Sequence, residues 1–166
     1  MKISITGTPG CGKSTVSKLL SKRINYKHVN INRIIKSKKL YLSYDKKRRA
    51  YIADIRKLKK YVKTLPEDII LDSHVSHVLD PDIVFVLRCS PHELEKRMKK
   101  RRWRRAKIDE NLEAELISFI AWEAKDKNKK VFEIDTTSKT PLQVSKKIES
   151  VLKGKTKKTK SIDWLK

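Results

Sequence analysis

The sequence predicts a three-layer α/β fold, with helices on both faces of a mainly parallel five-stranded sheet. Three observations predict it. Strand-like and helix-like segments alternate along the chain, the pattern that wraps helices around a parallel sheet. Two short runs, Ile69–Asp72 (I-I-L-D) and Ile83–Leu87 (I-V-F-V-L), are almost wholly apolar, as central strands buried on both faces must be. A glycine-rich loop also joins the first strand to the first helix.

The elements follow in order. Lys2–Thr6 alternates and runs into glycines, so it reads as a buried strand ending in a loop. Lys13–Ile24 carries Val16, Leu19, Leu20 and Ile24 at helical spacing. Tyr26–Ile31 reads as a second short strand. Asn32–Lys63 has helical propensity and is stopped by Pro66. Ile69–Asp72 and Ile83–Leu87 are central strands, and Pro91 suits the first turn of a helix over Ser90–Lys100. Asp109–Lys127 reads as one long amphipathic helix, Val131–Asp135 as the last strand, and Thr140-Pro141 as the start of a helix to Leu152. Residues 155–166 are a Lys/Thr tail expected to be mobile.

Composition bounds the functional classes. At 166 residues the chain is one ordinary domain long. Charged residues make up 37% and the formal charge is +23. Such a chain attracts phosphate-bearing partners over long range. A hot or salty habitat is the competing explanation for the charge. Cys11 and Cys89 stand in no metal-binding spacing and permit one disulfide at most. No apolar run reaches the roughly 18–20 residues of a membrane span, and no secretory leader is visible. An intracellular, soluble protein without membrane partners is expected.

Gly7-Thr8-Pro9-Gly10-Cys11-Gly12-Lys13-Ser14 fits the phosphate-binding pattern GxxxxGK[ST] at every specified position, and Thr15 follows. The glycines Gly7, Gly10 and Gly12 let the backbone curl so that successive N–H groups, Cys11 among them, point at a phosphate. Lys13 can reach the β- and γ-phosphates of ATP as a point charge. The Ser14 hydroxyl is a ligand for Mg²⁺, and the helix that follows directs its positive end at the anion. Asp72 closes a neighbouring apolar strand, where an acid holds Mg²⁺ directly or through water. His74 lies two residues on and would share its side if the strand continues; it orients a water or a phosphoryl oxygen, or it is a surface histidine. His77 has less in its favour.

Two clusters of positive charge stand out. Lys96–Lys107 holds nine basic residues and no acid. A loop there would close over phosphates, where an arginine stabilises charge on the transferring oxygens. Trp103 within it stacks on a base or packs under the loop. Arg33–Lys60 holds twelve basic residues against two aspartates and is a candidate acceptor site. Lys153–Lys160 adds five lysines without an acid, a composition that suits a phosphate backbone.

The P-loop, Asp72-x-His74 and the 97–111 segment together resemble the adenylate kinase isoenzyme 6 type. These are small, broad-specificity nucleoside monophosphate kinases of archaea and eukaryotes that also serve in late maturation of the small ribosomal subunit. The resemblance covers residues 1–152 and rests on Gly7–Thr15, Tyr26–Asn30, Leu40, Tyr44-Asp45, Asp54, Leu71–His77, Arg101, Lys107, Asn111, and Asp135–Thr137 with Pro141. It implies a P-loop NTPase fold over 1–154, a helical monophosphate-binding insertion near 28–61, and a short lid near 99–109 that brings Arg101 over ATP. It further implies catalysis or ATPase activity by the acid-x-His pair, and a small-subunit ribosomal protein or rRNA as partner. Asn32-Arg33 stands where the family has Gly-Asp, the insertion is basic where it is usually acidic, and Arg102 replaces a lid glycine.

Other readings find less support. A GTPase needs an acid after Asn128-Lys129, where Lys130-Val131 stands, and a glycine where Val75 stands. No RNA-module signature accompanies the basic charge. An ATPase assembly factor with little kinase activity is the principal alternative to a kinase.

Overall fold

The computed structural model describes residues 1–166. Its elements are β1 (Lys2–Gly7), α1 (Lys13–Ile24), β2 (Lys27–Asn30), α2 (Ile31–Ser37), β3 (Tyr41–Asp45), β4 (Ala50–Ala53), α3 (Ile55–Lys63), β5 (Ile69–Asp72), β6 (Ile83–Arg88), α4 (Pro91–Lys100), α5 (Arg105–Leu116), α6 (Phe119–Lys127), β7 (Val131–Asp135) and α7 (Pro141–Leu152). The main sheet runs β2-β5-β1-β6-β7, and all four pairings are parallel. The three-layer architecture is therefore as the alternation predicts.

Successive strand residues point to opposite faces, and each face has its own partner helices. Ile3, Ile5, Ile70 and Phe85 pack with Val16 and Leu20 of α1 and Val144 and Ile148 of α7. On the other face Ile69 and Leu71 meet Leu58 and Val62 of α3, while Val84 and Val86 meet Ala121 and Ala124 of α6. Because both faces are covered, β5 and β6 are buried at every position. Each fully buried large apolar side chain contributes about 1.5–3 kcal/mol, so the two central strands anchor the fold. Local signals set the helix starts. Ser90 caps α4 ahead of Pro91, and Thr140 with Gln143 forms a capping box ahead of Pro141 on α7.

Three segments depart from expectation. The insertion is helical only at its ends, α2 and α3; its middle is an antiparallel β3–β4 hairpin. Cross-strand aromatic pairing overrides the helical propensity of its lysines and arginines: the Tyr51 ring lies 4.4 Å from Tyr41 and 5.0 Å from Tyr44. The expected long helix over 109–127 is two helices. Ser118 breaks it in a left-handed conformation (φ 58°), so that α5 buries Ile108 and Glu115 while α6 buries Ala121 and Ala124. Residues 155–166, expected as a mobile tail, are bonded to the core. Thr159 Oγ1 accepts from the Glu133 backbone N–H at 3.0 Å, and the Ile162 N–H donates to Glu133 Oε2 at 3.2 Å. This segment covers the outer edge of β7, an edge strand that needs such cover.

Candidate phosphate-binding site

The loop between β1 and α1 is held by close approach. Gly7 lies at φ 138°, and a Cβ there would stand 2.3 Å from the Leu87 carbonyl oxygen; only glycine lets β1 turn so tightly against β6. Gly12 (φ 90°) precedes α1 and offers no side-chain cap. The first N–H groups of α1 are thus left to an external anion. The Lys13 ammonium lies back over the loop, donating to the Gly7 carbonyl at 2.8 Å and the Thr8 carbonyl at 3.2 Å. Burial lowers its pKa, and the charge of Arg101 adds to this; Cys11, Asp72 and Glu115 oppose the shift. A half-buried ammonium resting on two neutral carbonyls has no countercharge in direct contact, which favours an incoming phosphate.

The remaining predicted residues surround this loop. Ser14 and Thr15 are exposed on the first turn of α1. The Cys11 thiol is buried, so only its backbone can meet a ligand. Asp72 is buried at the end of β5, paired in register with Ile5 of β1, two residues before Gly7. Its Oδ2 lies 2.9 Å from Nε2 of His28 on β2. His74 follows in the turn after β5 and is exposed. Desolvation by its surroundings, then the charges of Lys13, His77 and Lys107, lower its pKa to about 4. His77 is buried between Thr6 Oγ1 and Glu123 Oε2, each at 2.9 Å, a position that holds β1 to α6. Arg101 ends α4 and lines a cavity of about 210 Å³ with Gly10, Gly12, Thr15, Arg97 and Lys139. The 99–109 segment is a short turn, 101–104, between the end of α4 and the start of α5. Trp103 packs against the core, with the Lys107 ammonium 4.3 Å from its ring centre.

Three contributors are not named by any motif. Arg97 reaches the Thr136 carbonyl at 3.0 Å and the Thr137 carbonyl at 3.3 Å, tying α4 to the turn after β7 at the cavity wall. His28 orients Asp72. Glu115 accepts a hydrogen bond from the Thr8 hydroxyl at 2.5 Å. Arg97 could be drawn from the basic cluster; His28 and Glu115 reach the site across 44 and 107 residues, beyond any local pattern.

No group of three His, Cys, Asp or Glu side chains could cage a metal. Asp72 has one oxygen engaged by His28, and Ser14 has an exposed hydroxyl. One carboxylate and one hydroxyl suit a small hard cation that takes its other ligands from water and substrate phosphates. No helix is long and apolar enough to cross a membrane.

Solved structures share this fold. A shikimate kinase from Acinetobacter baumannii superposes with a TM-score of 0.68 at 12% identity, covering 93% of both chains. A deoxyadenosine kinase from M. mycoides gives 0.62 at 20% identity, covering 94% of this chain and all of that one. At such identities the likeness shows the fold. Residues 3–118 match the AAA domain family, AAA_18. Fold and loop together define a P-loop phosphotransferase. The chain is 40% identical over 99% of its length to a Methanocaldococcus jannaschii protein described as "Putative adenylate kinase", covering 93% of it. It is equally identical to the protein of that description from Methanosarcina acetivorans, covering 98% of it. The chain belongs to this adenylate kinase family, the isoenzyme 6 type that its motifs resemble.

Proposed function

We propose that the protein transfers the γ-phosphoryl group of ATP to a nucleoside monophosphate, with AMP the first acceptor to test. The observation that carries this reading is the convergence on one loop of the Lys13 ammonium, the uncapped start of α1 and the buried carboxylate of Asp72. The backbone from Gly7 through Gly12 and the side chain of Thr15 would bind the triphosphate, and Lys13 would leave the two loop carbonyls for the β- and γ-phosphates. Ser14 and Asp72 would hold Mg²⁺, Asp72 directly or through water; the ion neutralises charge on the phosphate oxygens when bound. Arg101, on the facing wall, would meet the charge spread over the transferring group. The acceptor would lie towards the insertion at 28–61, with 99–109 as lid. The family membership supports this reading, as does the open cavity beside the loop.

A second activity rests on His74. It stands two residues after Asp72, near enough to Lys13 to feel its charge, and is neutral at physiological pH. A neutral imidazole there can orient water, so we infer a slow ATPase reaction beside phosphoryl transfer. The +23 charge supports an rRNA or small-subunit ribosomal protein partner in an intracellular setting, with ribosome maturation as the role. ADP formation from ATP–Mg²⁺, measured with and without AMP and then across a panel of monophosphates, tests the central claim. AMP-dependent ADP is expected. ADP formation unchanged by every acceptor would leave the ATPase reading alone, and no turnover at all would remove both.

A further inference from the structure

The loop at Gly7–Ser14 is braced from behind by a chain of buried polar contacts that starts in the segment after α7. Trp164 Nε1 donates to Glu115 Oε1 at 2.9 Å. The same oxygen accepts from Arg88 Nε at 2.7 Å and from the Cys89 N–H at 3.2 Å. The other oxygen, Oε2, accepts from the Thr8 hydroxyl at 2.5 Å. Thr8 in turn supplies one of the two carbonyls on which the Lys13 ammonium rests. Glu115 is 2% exposed, so water cannot replace these donors.

Arg88 secures the far side. It is 1% exposed, and its guanidinium bonds Glu115, Glu133, Ser118 and the Ile162 carbonyl. Its carbon Cζ lies 5.8 Å from the centre of the Trp164 ring. Lys125 pairs with the other oxygen of Glu133. Two cations therefore meet two carboxylates, and the cluster is balanced without the loop. What the loop adds is a neutral hydroxyl with one geometry available to it. A carboxylate whose oxygen is fixed by three donors presents its second oxygen at a fixed place.

From this geometry we infer that Glu115 and Trp164 are positioning residues of the phosphate-binding loop: the segment after α7, through the Trp164 indole N–H and the Glu115 carboxylate, holds Thr8 and so fixes the Lys13 cradle for ATP. The inference rests on the loop being the ATP site. It makes the terminal segment part of the binding apparatus, not an appendage. Trp164 touches no substrate; it acts only through Glu115.

The test uses the full chain and measures ATP–Mg²⁺ affinity together with kcat and KM. Trp164→Phe keeps the ring and removes the N–H. It is expected to raise the Kd and KM for ATP by about fivefold to tenfold, the scale of one ordinary hydrogen bond, with kcat within about twofold. Trp122→Phe, on the exposed face of α6, serves as control and leaves ATP binding unchanged. Thr8→Val should weaken ATP binding similarly, Thr8→Ser should restore it, and Trp164→Phe added to Thr8→Val should cost little more, because both break one chain. A lowered melting temperature with unchanged ATP affinity in Trp164→Phe, or fully additive losses in the double variant, would overturn the inference. Should Trp164→Phe not fold, the contrast between Thr8→Val and Thr8→Ser still decides: equal ATP affinity in the two overturns it. If the unaltered protein binds no ATP, the ATP-site reading fails first, and that result is distinct from all of these.

Discussion

His28 Nε2 lies 2.9 Å from Asp72 Oδ2, joining β2 to the end of β5, two positions beyond the Ile70 that His28 faces in the sheet. The carboxylate is 3% exposed, so it depends on this donor for its orientation. Replacing His28 by Phe leaves a buried carboxylate with one oxygen unsatisfied. We expect the Mg²⁺ concentration for half-maximal activity to rise about tenfold, in line with losses on removing the partner of a metal-binding side chain. Stability should fall by about 1–3 kcal/mol. His28→Gln, which can still donate, should recover part of both. A Mg²⁺ titration at fixed ATP decides; an unshifted curve would detach Asp72 from the metal.

Lys13 contributes little to the fold, since its ammonium bonds only two carbonyls of its own loop. Lys13→Ala should therefore lower turnover by about two to three orders of magnitude, the usual cost of removing one charge-stabilising donor from a transition state. Its melting temperature should stay close to that of the unaltered protein. Steady-state kinetics and a thermal melt on the same sample check both halves. Near-normal turnover would remove the loop from catalysis.

The parts of this molecule visible in its sequence are those whose signals are local. The strand runs at Ile69–Asp72 and Val131–Asp135, the helix at Lys13–Ile24 and the start of the last helix at Thr140-Pro141 all match the observed elements, because burial on both faces and capping chemistry act over a few residues. The loop from Gly7 to Ser14 is legible for the same reason. The β3–β4 hairpin is not, because its stability comes from tyrosines that meet only after the chain has turned at Lys46–Arg49. The break at Ser118 is hidden in a continuous apolar period; the Ser118 hydroxyl there accepts a hydrogen bond from Arg88 of distant β6 at 2.8 Å. Asp72 ends β5 as its apolar run predicts, but the histidine bonded to it and the glutamate bonded to Thr8 belong to distant segments with no motif of their own.

His74 and acid stability follow from the depressed pKa. The folded protein holds His74 neutral down to about pH 4, while the unfolded chain takes up a proton near the ordinary value of 6.5. The unfolded state binds more protons between these values, so stability falls as pH drops from about 6.5 towards 4 and is indifferent to His74 above 6.5. His77, pushed down by burial against the opposing pull of Glu123, acts in the same direction. In His74→Gln the decline of melting temperature between pH 6.5 and 4 should be shallower, with little difference at pH 8. An identical slope in both proteins would show that His74 titrates alike in the folded and unfolded chain.

Arg88 offers the sharpest separation of stability from chemistry. Its guanidinium lies between Glu115 and Glu133, at 2.7 and 2.5 Å, and all three side chains are buried. Removing one member of such a cluster costs more than the cluster contributes, because it strands a charge away from water; the expected loss is about 3–5 kcal/mol. For a chain of this size that lowers the melting temperature by roughly 6–20 °C, at about 2–4 °C for each kcal/mol. Arg88→Met should show this fall, and Arg88→Met combined with Glu115→Gln should be less destabilised than the sum of the single variants, since the stranded carboxylate is then neutral. Lys125 still pairs with Glu133 in the single variant, so the larger share of the penalty falls on Glu115. The loop at Thr8 should therefore loosen along with the fold, and ATP should protect Arg88→Met against heat less than it protects the unaltered chain. Equal protection by ATP in both would confine Arg88 to the core.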